Sequence, residues 1–332
     1  MSYSFEGNRV IRDTGSEFPI FQAPIGRLSQ SQWTGAISAA GGMGLMETST
    51  QGSAGLTEQS DIIRSRTNRP FGYHLLANYL DKNEAHEKDV MDWLLAGRPN
   101  FVTIGLGRLW SQDLDPWRHV KPLQDAGAKC YYVVETMEEV MRSEDAGVDG
   151  LILAGAEAGG IRGDHDLHIF SLLQKVRHRV DLPLVASGGI VDGYGMAGAF
   201  ALGAEGVLMG TRFMASPECP IHENYKQSIV DADGVMYVNF GVPDNSMIAV
   251  RNSFSEAVAR GDIDAKGNPY AGPPLKVYVE GKTDEAMVGV GESALLFDTI
   301  KPVADIMEDT VSEFWSELDR LAGLRRPVLA DV

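Results

Sequence analysis

The stretch at 182–213, LPLVASGGIVDGYGMAGAFALGAEGVLMGTRF, holds two apolar runs that each end at glycine. The runs are PLVAS at 183–187 and GVLMG at 206–210, and both consist mainly of aliphatic residues. Continuous apolar runs of this length are typical of strands buried on both faces of a parallel sheet. Because the sequence between them is long enough for a crossover helix, the stretch predicts a β–α–β unit.

Runs of the same kind recur through the first two thirds of the chain, with helix-like segments between them. The segments at 84–97 and 166–180, for example, place apolar residues at helical spacing. Eight strand–helix units in succession predict an α/β protein with a closed (β/α)8 TIM barrel, rather than an open doubly wound sheet. The glycine cluster at 40–44 precedes a strand, whereas a dinucleotide-binding fingerprint follows one, which argues against that kind of site. The predicted strands are at 19–24, 43–48, 71–76, 101–105, 129–134, 150–154, 183–187 and 206–210.

The pattern changes after residue 213. Residues 235–285 show no clear periodicity, with GNPYAGPPL at 267–275 as a break rich in proline and glycine. A final amphipathic helix is predicted at about 301–323. We therefore predict a C-terminal helical extension over the barrel mouth. Our division of the chain is a barrel at 1–225, a smaller helical or irregular cover at 226–285, and a return to the barrel with the last helix at 286–332.

The composition restricts the class of partner. The chain has 332 residues, with 46 acidic and 29 basic side chains and a net charge of −17. Such a surface repels phosphate backbones and anionic membranes, so we expect neither nucleic acid nor a membrane as partner. The sequence contains no long apolar run and no signal-peptide core, and its two cysteines, Cys130 and Cys219, lack a metal-binding spacing. We expect a cytoplasmic protein with a small-molecule substrate and no metal, with a homodimer as an open alternative to a monomer.

The glycines after the seventh and eighth predicted strands suggest where a ligand binds. Active sites of such barrels lie at the C-terminal ends of the strands, and phosphate groups commonly bind after strands seven and eight. Gly188 and Gly189 follow the seventh strand, and Gly210 and Thr211 follow the eighth. Glycine lets backbone N–H groups approach a phosphate, and Thr211 adds a hydroxyl donor. The matched pair of turns favours a phosphate site over turns that glycine merely tightens.

Several motifs together resemble those of one enzyme family. The sequence is similar to the nitronate monooxygenases, also called 2-nitropropane dioxygenases. They share an FMN-binding TIM-barrel superfamily with FMN-type enoyl-ACP reductases and NADH:quinone reductases. The resemblance spans almost the whole chain and is weakest at 235–285. Its motifs are FQAPI at 21–25, AGGMG at 40–44, EAGG at 157–160, the whole stretch at 182–213, and ECPIHENYK at 218–226.

This resemblance implies a non-covalently bound FMN. The phosphate would be held by the glycine turns after strands seven and eight, and the isoalloxazine ring would lie against the turn after the first strand. In such a site the cofactor supplies the redox chemistry and the protein positions it. The residues that the resemblance assigns to FMN are Gln22, Ala23, Pro24, Gly159, Gly160, Ser187, Gly188, Gly189, Met209, Gly210 and Thr211.

One position departs from the family pattern, in the loop after the sixth strand. The resemblance implies a histidine after the paired glycines of EAGG, acting as base or acid beside the flavin, but this chain has Ile161 there. His74, His165 and Glu157 are the candidates for the missing proton transfer. Each candidate has a structural alternative, because a histidine can be buried in a core or solvated, and Glu157 can cap the next helix or pair with Arg162.

Three functions are consistent with these features. The first is nitronate oxidation with O2 to a carbonyl compound and nitrite, which tolerates loss of the histidine because a nitronate is already deprotonated. The second is an NADH- or NADPH-dependent flavin reductase that acts on a quinone or on an enoyl or acyl thioester. The third is a non-catalytic homologue that binds a flavin or another ligand. In the first function the electron acceptor is O2. In the second the alternative acceptor is a quinone, and NADH or NADPH is a co-substrate.

Overall fold

A computed structural model describes residues 4–77, 83–97, 99–105, 115–163, 167–241, 246–268 and 274–324. The strands in chain order are β1 Ile20–Gln22, β2 Gly44–Glu47, β3 Phe71–Leu76, β4 Phe101–Gly105, β5 Lys129–Val134, β6 Gly150–Ala154, β7 Ile161–Arg162, β8 Leu184–Ser187, β9 Gly206–Met209, β10 Val235–Asn239 and β11 Ser246–Val250. The helices are α1 Arg9–Thr14, α2 Ser31–Ala39, α3 Ser53–Arg66, α4 Glu84–Gly97, α5 Val120–Asp125, α6 Met137–Asp145, α7 Ile169–Val176, α8 Gly193–Ala201, α9 Thr211–Met214, α10 Glu223–Val230, α11 Ser253–Arg260, α12 Pro274–Tyr278 and α13 Val303–Ala322.

Eight of these strands form the barrel. Their spatial order is β1-β9-β8-β6-β5-β4-β3-β2, and all of the pairs between them are parallel. A parallel bridge between Phe21 and Met43 joins the two ends of this sheet. The predicted TIM barrel is confirmed, and the observed barrel strands fall within the predicted segments.

Alternation along the strands explains how the barrel is filled. On β5, Tyr131 belongs to the cluster inside the barrel, whereas Tyr132 packs in the outer layer against the helices. The Tyr131 hydroxyl donates to Asp13 Oδ2 at 3.0 Å. Asp13 lies on α1, which also inserts Val10 into the inner cluster. Tyr131 is therefore a core residue that packs towards α1.

The last helix packs against one of the helices around the barrel. Helix α13 packs along α8, where a Cβ on Gly193 would collide with the backbone at Phe314, so only glycine permits this close crossing. The carboxylate of Glu218 accepts the backbone N–H of Val303 at 3.1 Å and satisfies a free donor at the start of α13. The contact links the ECPIHENYK segment to the C-terminal helix.

The expectation of irregular structure at 235–285 is wrong for its first part. Strands β10 and β11 form an antiparallel hairpin, and β11 also pairs with β7 in the loop after β6. The hairpin and α11 enclose an apolar cluster that includes Val238, Phe240 and Met247. The third strand of this sheet comes from a distant part of the chain, so no local sequence pattern predicts the pairing. The boundaries of the cover at 226 and 285 stay a prediction.

Within the residues that the structure describes, every helix is too short or too polar to span a bilayer.

Candidate functional site

A cavity of about 380 Å³ opens at the C-terminal ends of the barrel strands. Its walls come from the turn at 23–26 after β1, the loop at 158–161 after β6, and the two glycine turns after β8 and β9. The segment at 289–290 and Ser293 close it from the side of the cover. A concave and largely apolar site of this size is typical of small-molecule and cofactor binding.

The turn after β8 requires glycine for conformational reasons. Gly188 has φ +114° and Gly189 has φ +67°, which are left-handed values that disfavour other residues. A Cβ on Gly188 would also lie 3.1 Å from the backbone nitrogen of Ala158. The turn therefore brings bare backbone to the cavity surface and packs closely against the loop after β6.

Thr211 joins the second glycine turn to the cover. Its Oγ1 accepts the backbone N–H of Gly291 at 2.9 Å, so its hydroxyl hydrogen remains available for a ligand. Gly210 lies against the first-strand turn, since a Cβ there would be 3.2 Å from Ala23 Cβ. The turn after β1 and the turn after β9 therefore meet at the cavity wall.

The structure places nine of the eleven predicted cofactor-binding residues on the cavity wall. Gln22 is not among them, because its fully buried amide donates to Ser29 Oγ at 2.8 Å. Met209 packs in the outer core between the barrel and its helices. Strand alternation explains both exceptions, since the neighbouring Ala23 and Leu208 face inward. The nine wall residues are Ala23, Pro24, Gly159, Gly160, Ser187, Gly188, Gly189, Gly210 and Thr211.

The glycines of the loop after β6 serve different purposes. A Cβ on Gly155 would collide with the Glu157 carboxylate, and one on Gly159 would lie 3.0 Å from the backbone of Gly291. Gly160 has φ +97° and open space around it. Gly155 and Gly159 therefore make room for neighbouring protein atoms. Gly160 provides the left-handed turn that leads into Ile161.

His74 lines the cavity with a fixed and uncharged imidazole. Its Nδ1 lies 2.9 Å from the hydroxyl of Thr103, its register partner on β4. A Cβ on Gly105 would lie 3.0 Å from the imidazole Cε1, so glycine leaves room for the ring. The side chain is almost fully buried, and this burial lowers the pKa of His74 to about 3. His74 is therefore a neutral hydrogen-bonding group and not a base poised near pH 7.

Replacing His74 by Asn is expected to make stability less sensitive to acid. The folded protein keeps His74 neutral down to a pKa of about 3, whereas the unfolded chain protonates it near the ordinary value of 6.5. The unfolded state therefore binds one more proton in that window, and the free energy of unfolding falls by up to about 1.4 kcal/mol per pH unit as the pH drops. Urea unfolding between about pH 4 and 7 measures this slope.

The variant His74→Asn should show the shallower slope. The exposed His168 offers a matched control, and His168→Asn should follow the wild-type profile. Equal slopes in all three proteins would contradict a buried neutral His74.

Glu157 caps a helix. Its two carboxylate oxygens accept the backbone N–H of Ile169, the first residue of α7, at 3.0 and 3.1 Å. Its side chain supports the glycine turn after β8, since a Cβ on Gly188 would lie 3.2 Å from Glu157 Cγ. It does not line the cavity. The capping alternative accounts for Glu157, and its use as a catalytic base does not fit this position.

A Glu157→Gln variant is expected to lower the free energy of unfolding by about 1–2 kcal/mol, because a neutral amide replaces an anionic cap at the start of α7. Urea unfolding measures the change. The control Glu58→Gln, at an exposed position on α3, should change it by less than about 0.5 kcal/mol. Loss of turnover with unchanged unfolding would instead restore Glu157 as a catalytic residue.

Ile161 lies on the cavity wall, at the sequence position where the family resemblance implies a histidine. It pairs with Met247 across β7 and β11 and packs against the apolar cluster of the cover. The remaining candidate, His165, lies outside the described residues. Within the described residues, no predicted proton-transfer group of the appropriate pKa reaches the cavity.

Comparison with known proteins identifies the relatives of this fold and site. The family profile of nitronate monooxygenase matches residues 9–313. The chain belongs to the nitronate monooxygenase family. It is 30% identical over 261 residues to a nitronate monooxygenase of Pseudomonas aeruginosa, covering 67% of this chain and 73% of that protein. Membership places the chain among flavin-dependent oxidoreductases.

Other relatives of this nitronate monooxygenase family member differ in activity or in the extent of the match. FabK from Thermotoga maritima superposes with a TM-score of 0.83 at 31% identity, covering 96% of this chain and 99% of that one. A nitroalkane oxidase from Streptomyces ansochromogenes superposes with a TM-score of 0.76 at 22% identity, covering 94% and 99%, which supports the fold. A 5-hydroxy-7a-methyl-1-oxo-octahydro-1H-indene-4-carboxyl-CoA dehydrogenase of Rhodococcus jostii is 28% identical over 212 residues, 64% of this chain and 56% of that protein.

The residues of the cavity fit FMN, the cofactor that the nitronate monooxygenase family implies. Gly188 and Gly189 form a backbone cradle that a Cβ would strain or fill, and Thr211 lines the same cavity with a hydroxyl group. The turn of Ala23 and Pro24 supplies a flat apolar surface near Gly210. The cavity wall therefore offers backbone and hydroxyl groups for a phosphate and apolar groups for a ring.

Sequence reasoning missed the segment at 289–293, of which Gly289, Val290 and Ser293 line the cavity. Its backbone donates from Val290 to Ile248 O at 2.9 Å and from Glu292 to Glu157 O at 3.0 Å. The Tyr225 hydroxyl donates to Gly289 O at 2.7 Å. The two glycines of GVGES at 289–293 resemble those of the predicted binding turns, and this pattern could have indicated the segment from the sequence.

Proposed function

We propose that this protein is an FMN-dependent oxidoreductase that oxidises alkyl nitronates with O2 to a carbonyl compound and nitrite. The observation that carries the proposal is Ile161 on the cavity wall of a nitronate monooxygenase family member. Ile161 has no basic group, and the low pKa of His74, about 3, makes its imidazole too weak a base to deprotonate a nitroalkane effectively. A nitronate enters as a preformed anion and needs no such step.

The roles proposed for the chain follow from the position of each group. The turn at 188–189 and Thr211 hold the phosphate of FMN, and the turn of Ala23 and Pro24 supports its ring. The apolar wall around Ile161 excludes water from the reacting face. His74 offers Nε2 as an uncharged hydrogen-bonding atom, because Thr103 occupies Nδ1. When bound, FMN supplies the electron-accepting chemistry.

Nitrite release in air tests this function. The FMN-loaded protein is mixed with propyl nitronate, and in parallel with neutral 1-nitropropane at a pH where the nitroalkane ionises slowly. We expect rapid nitrite formation from the nitronate and at least about 100-fold less from the nitroalkane, since neither Ile161 nor His74 supplies an effective general base. Absence of nitrite from both substrates would overturn the proposal.

The second candidate is an NADH- or NADPH-dependent reductase acting on a quinone or on an enoyl or acyl thioester. The Rhodococcus relative named as a carboxyl-CoA dehydrogenase supports a thioester as the substrate of this second candidate. Anaerobic mixing separates the two candidates. Bleaching of the flavin absorbance by NADH or NADPH favours the reductase, whereas bleaching by nitronate alone favours the first proposal.

A purified protein that is colourless and takes up no FMN would remove both candidates and leave the non-catalytic homologue. The cytoplasmic location, the lack of nucleic-acid and membrane partners, and the homodimer stay predictions.

A further inference from the structure

We propose that Ile161 and Met247 form the binding surface for an uncharged alkyl chain of the substrate, and we call this pair the Ile161–Met247 wall. The inference rests on the proposed function and adds the substrate class: nitronates that carry an apolar chain, in preference to nitronates that carry a second charge.

The wall is built by the small sheet of the cover. Ile161 and Met247 are register partners in the antiparallel pair of β7 and β11, and both side chains line the cavity. Register partners in an antiparallel pair lie on the same face of the sheet, so the two side chains form one continuous surface. The substitution at 161 therefore extends an apolar surface at the place where the family resemblance implies an imidazole.

Packing holds the wall in place. Met247 is 3% exposed and belongs to the buried cluster of the cover, against which Ile161 also packs. On its other side, the Met247 sulfur lies close to Gly289, where a Cβ would approach it to 3.0 Å. Gly289 lines the cavity as well. The thioether is therefore confined between β7 and the segment at 289–293, and it presents a defined surface to a ligand.

An apolar wall of this kind discriminates by chain length and by charge. Each methylene that leaves water against it should tighten binding about fourfold, until the chain extends past the wall. A carboxylate at the same place would lose hydration without a partner on the wall, which should weaken binding at least about tenfold. Shape alone would not separate these two kinds of substrate.

Binding and turnover of matched ligands test the wall in the FMN-loaded protein. Isothermal titration with neutral 1-nitroalkanes, from nitroethane to nitrohexane, measures the affinity gained per methylene without depending on turnover. Steady-state oxidation of butyl nitronate and of propionate 3-nitronate measures discrimination against the carboxylate. We expect about fourfold tighter binding per methylene over the first additions and at least about tenfold higher kcat/KM for butyl nitronate.

Two variants of Met247 assign the effect to the wall. Met247→Leu keeps an apolar surface of similar size and should retain the dependence on chain length. Met247→Ser should reduce the gain in affinity to less than about twofold per methylene. It should also reduce the preference for butyl nitronate over propionate 3-nitronate. Thermal unfolding of both variants verifies that each is folded, and Ile161→Ser gives the same test from the other side of the wall.

The outcomes separate this inference from the proposed function. If nitronates yield nitrite at rates that do not depend on chain length, or if propionate 3-nitronate is preferred, the proposed role of the wall is wrong and the proposed function stands. Chain-length-dependent binding of nitroalkanes without nitrite from any nitronate overturns the function and leaves the wall as an alkyl-binding surface. If a folded Met247→Ser variant keeps the same gain in affinity per methylene, the alkyl chain of the ligand binds elsewhere and the proposed role of the wall is wrong.

Discussion

An Ile161→His variant is expected to oxidise neutral 1-nitroalkanes at least about 100-fold faster than the wild-type protein, because a positioned general base contributes about 10²–10⁴ in rate. The side chain at 161 lines the cavity, and the pairing of β7 with β11 holds its backbone. An imidazole there would meet the carbon that must lose a proton. Nitrite release from 1-nitropropane in air measures the gain.

The same variant should acquire a dependence on pH that the wild type lacks. Only the neutral imidazole accepts a proton, so the nitroalkane rate should rise as the pH increases through about 6.5 and then level off. Oxidation of propyl nitronate should change less than about tenfold, since that substrate needs no base and loses only part of an apolar contact. The matched control is Ile161→Gln, which is polar and of similar length but cannot act as a base.

Two results would contradict this placement of residue 161. An unchanged nitroalkane rate in a folded, FMN-loaded Ile161→His variant would mean that residue 161 does not face the reacting carbon. An equal gain in Ile161→Gln would mean that polarity, and not proton removal, limits the wild-type protein.

A Gly188→Ala variant is expected to weaken FMN binding by about 100-fold or more, equivalent to about 2.7 kcal/mol. Gly188 has φ +114°, a conformation that costs a residue with a side chain about 1–3 kcal/mol. Its new Cβ would also lie 3.1 Å from Ala158 N and 3.2 Å from Glu157 Cγ. Because the backbone must shift to relieve both, the cradle that we assign to the phosphate would be lost. Quenching of FMN fluorescence by the apoprotein measures the affinity.

The chain offers a matched control in Gly198→Ala. Gly198 lies at an exposed position of α8, its φ is outside the left-handed range, and a Cβ would meet nothing within 4 Å. This change should leave FMN affinity unaltered and raise the free energy of unfolding by about 0.4–1 kcal/mol. Wild-type FMN affinity in a folded Gly188→Ala variant would place the phosphate elsewhere in the cavity.

The candidate site was only partly accessible to sequence reasoning, and Glu157 illustrates why. Its position in a glycine-rich loop is equally consistent with a base at the barrel mouth and with a helix cap. The choice depends on the start of α7, twelve residues later, where Ile169 N–H points at the carboxylate. His74 is a similar case, because its burial in the folded protein decides its charge state, and the residues next to it in sequence do not encode that burial.

The sequence by itself determined the barrel, the order of its strands and the glycine turns at 188–189 and 210–211. These features are local: strands follow from short apolar runs, and glycine permits the left-handed turn at 188–189. Only the tertiary structure decided that Gly155 and Gly159 make room for the protein, that the segment at 289–293 borders the cavity, and that Ile161 meets Met247. Those contacts join parts of the chain that are far apart in sequence, and the packing of the whole fold selects them.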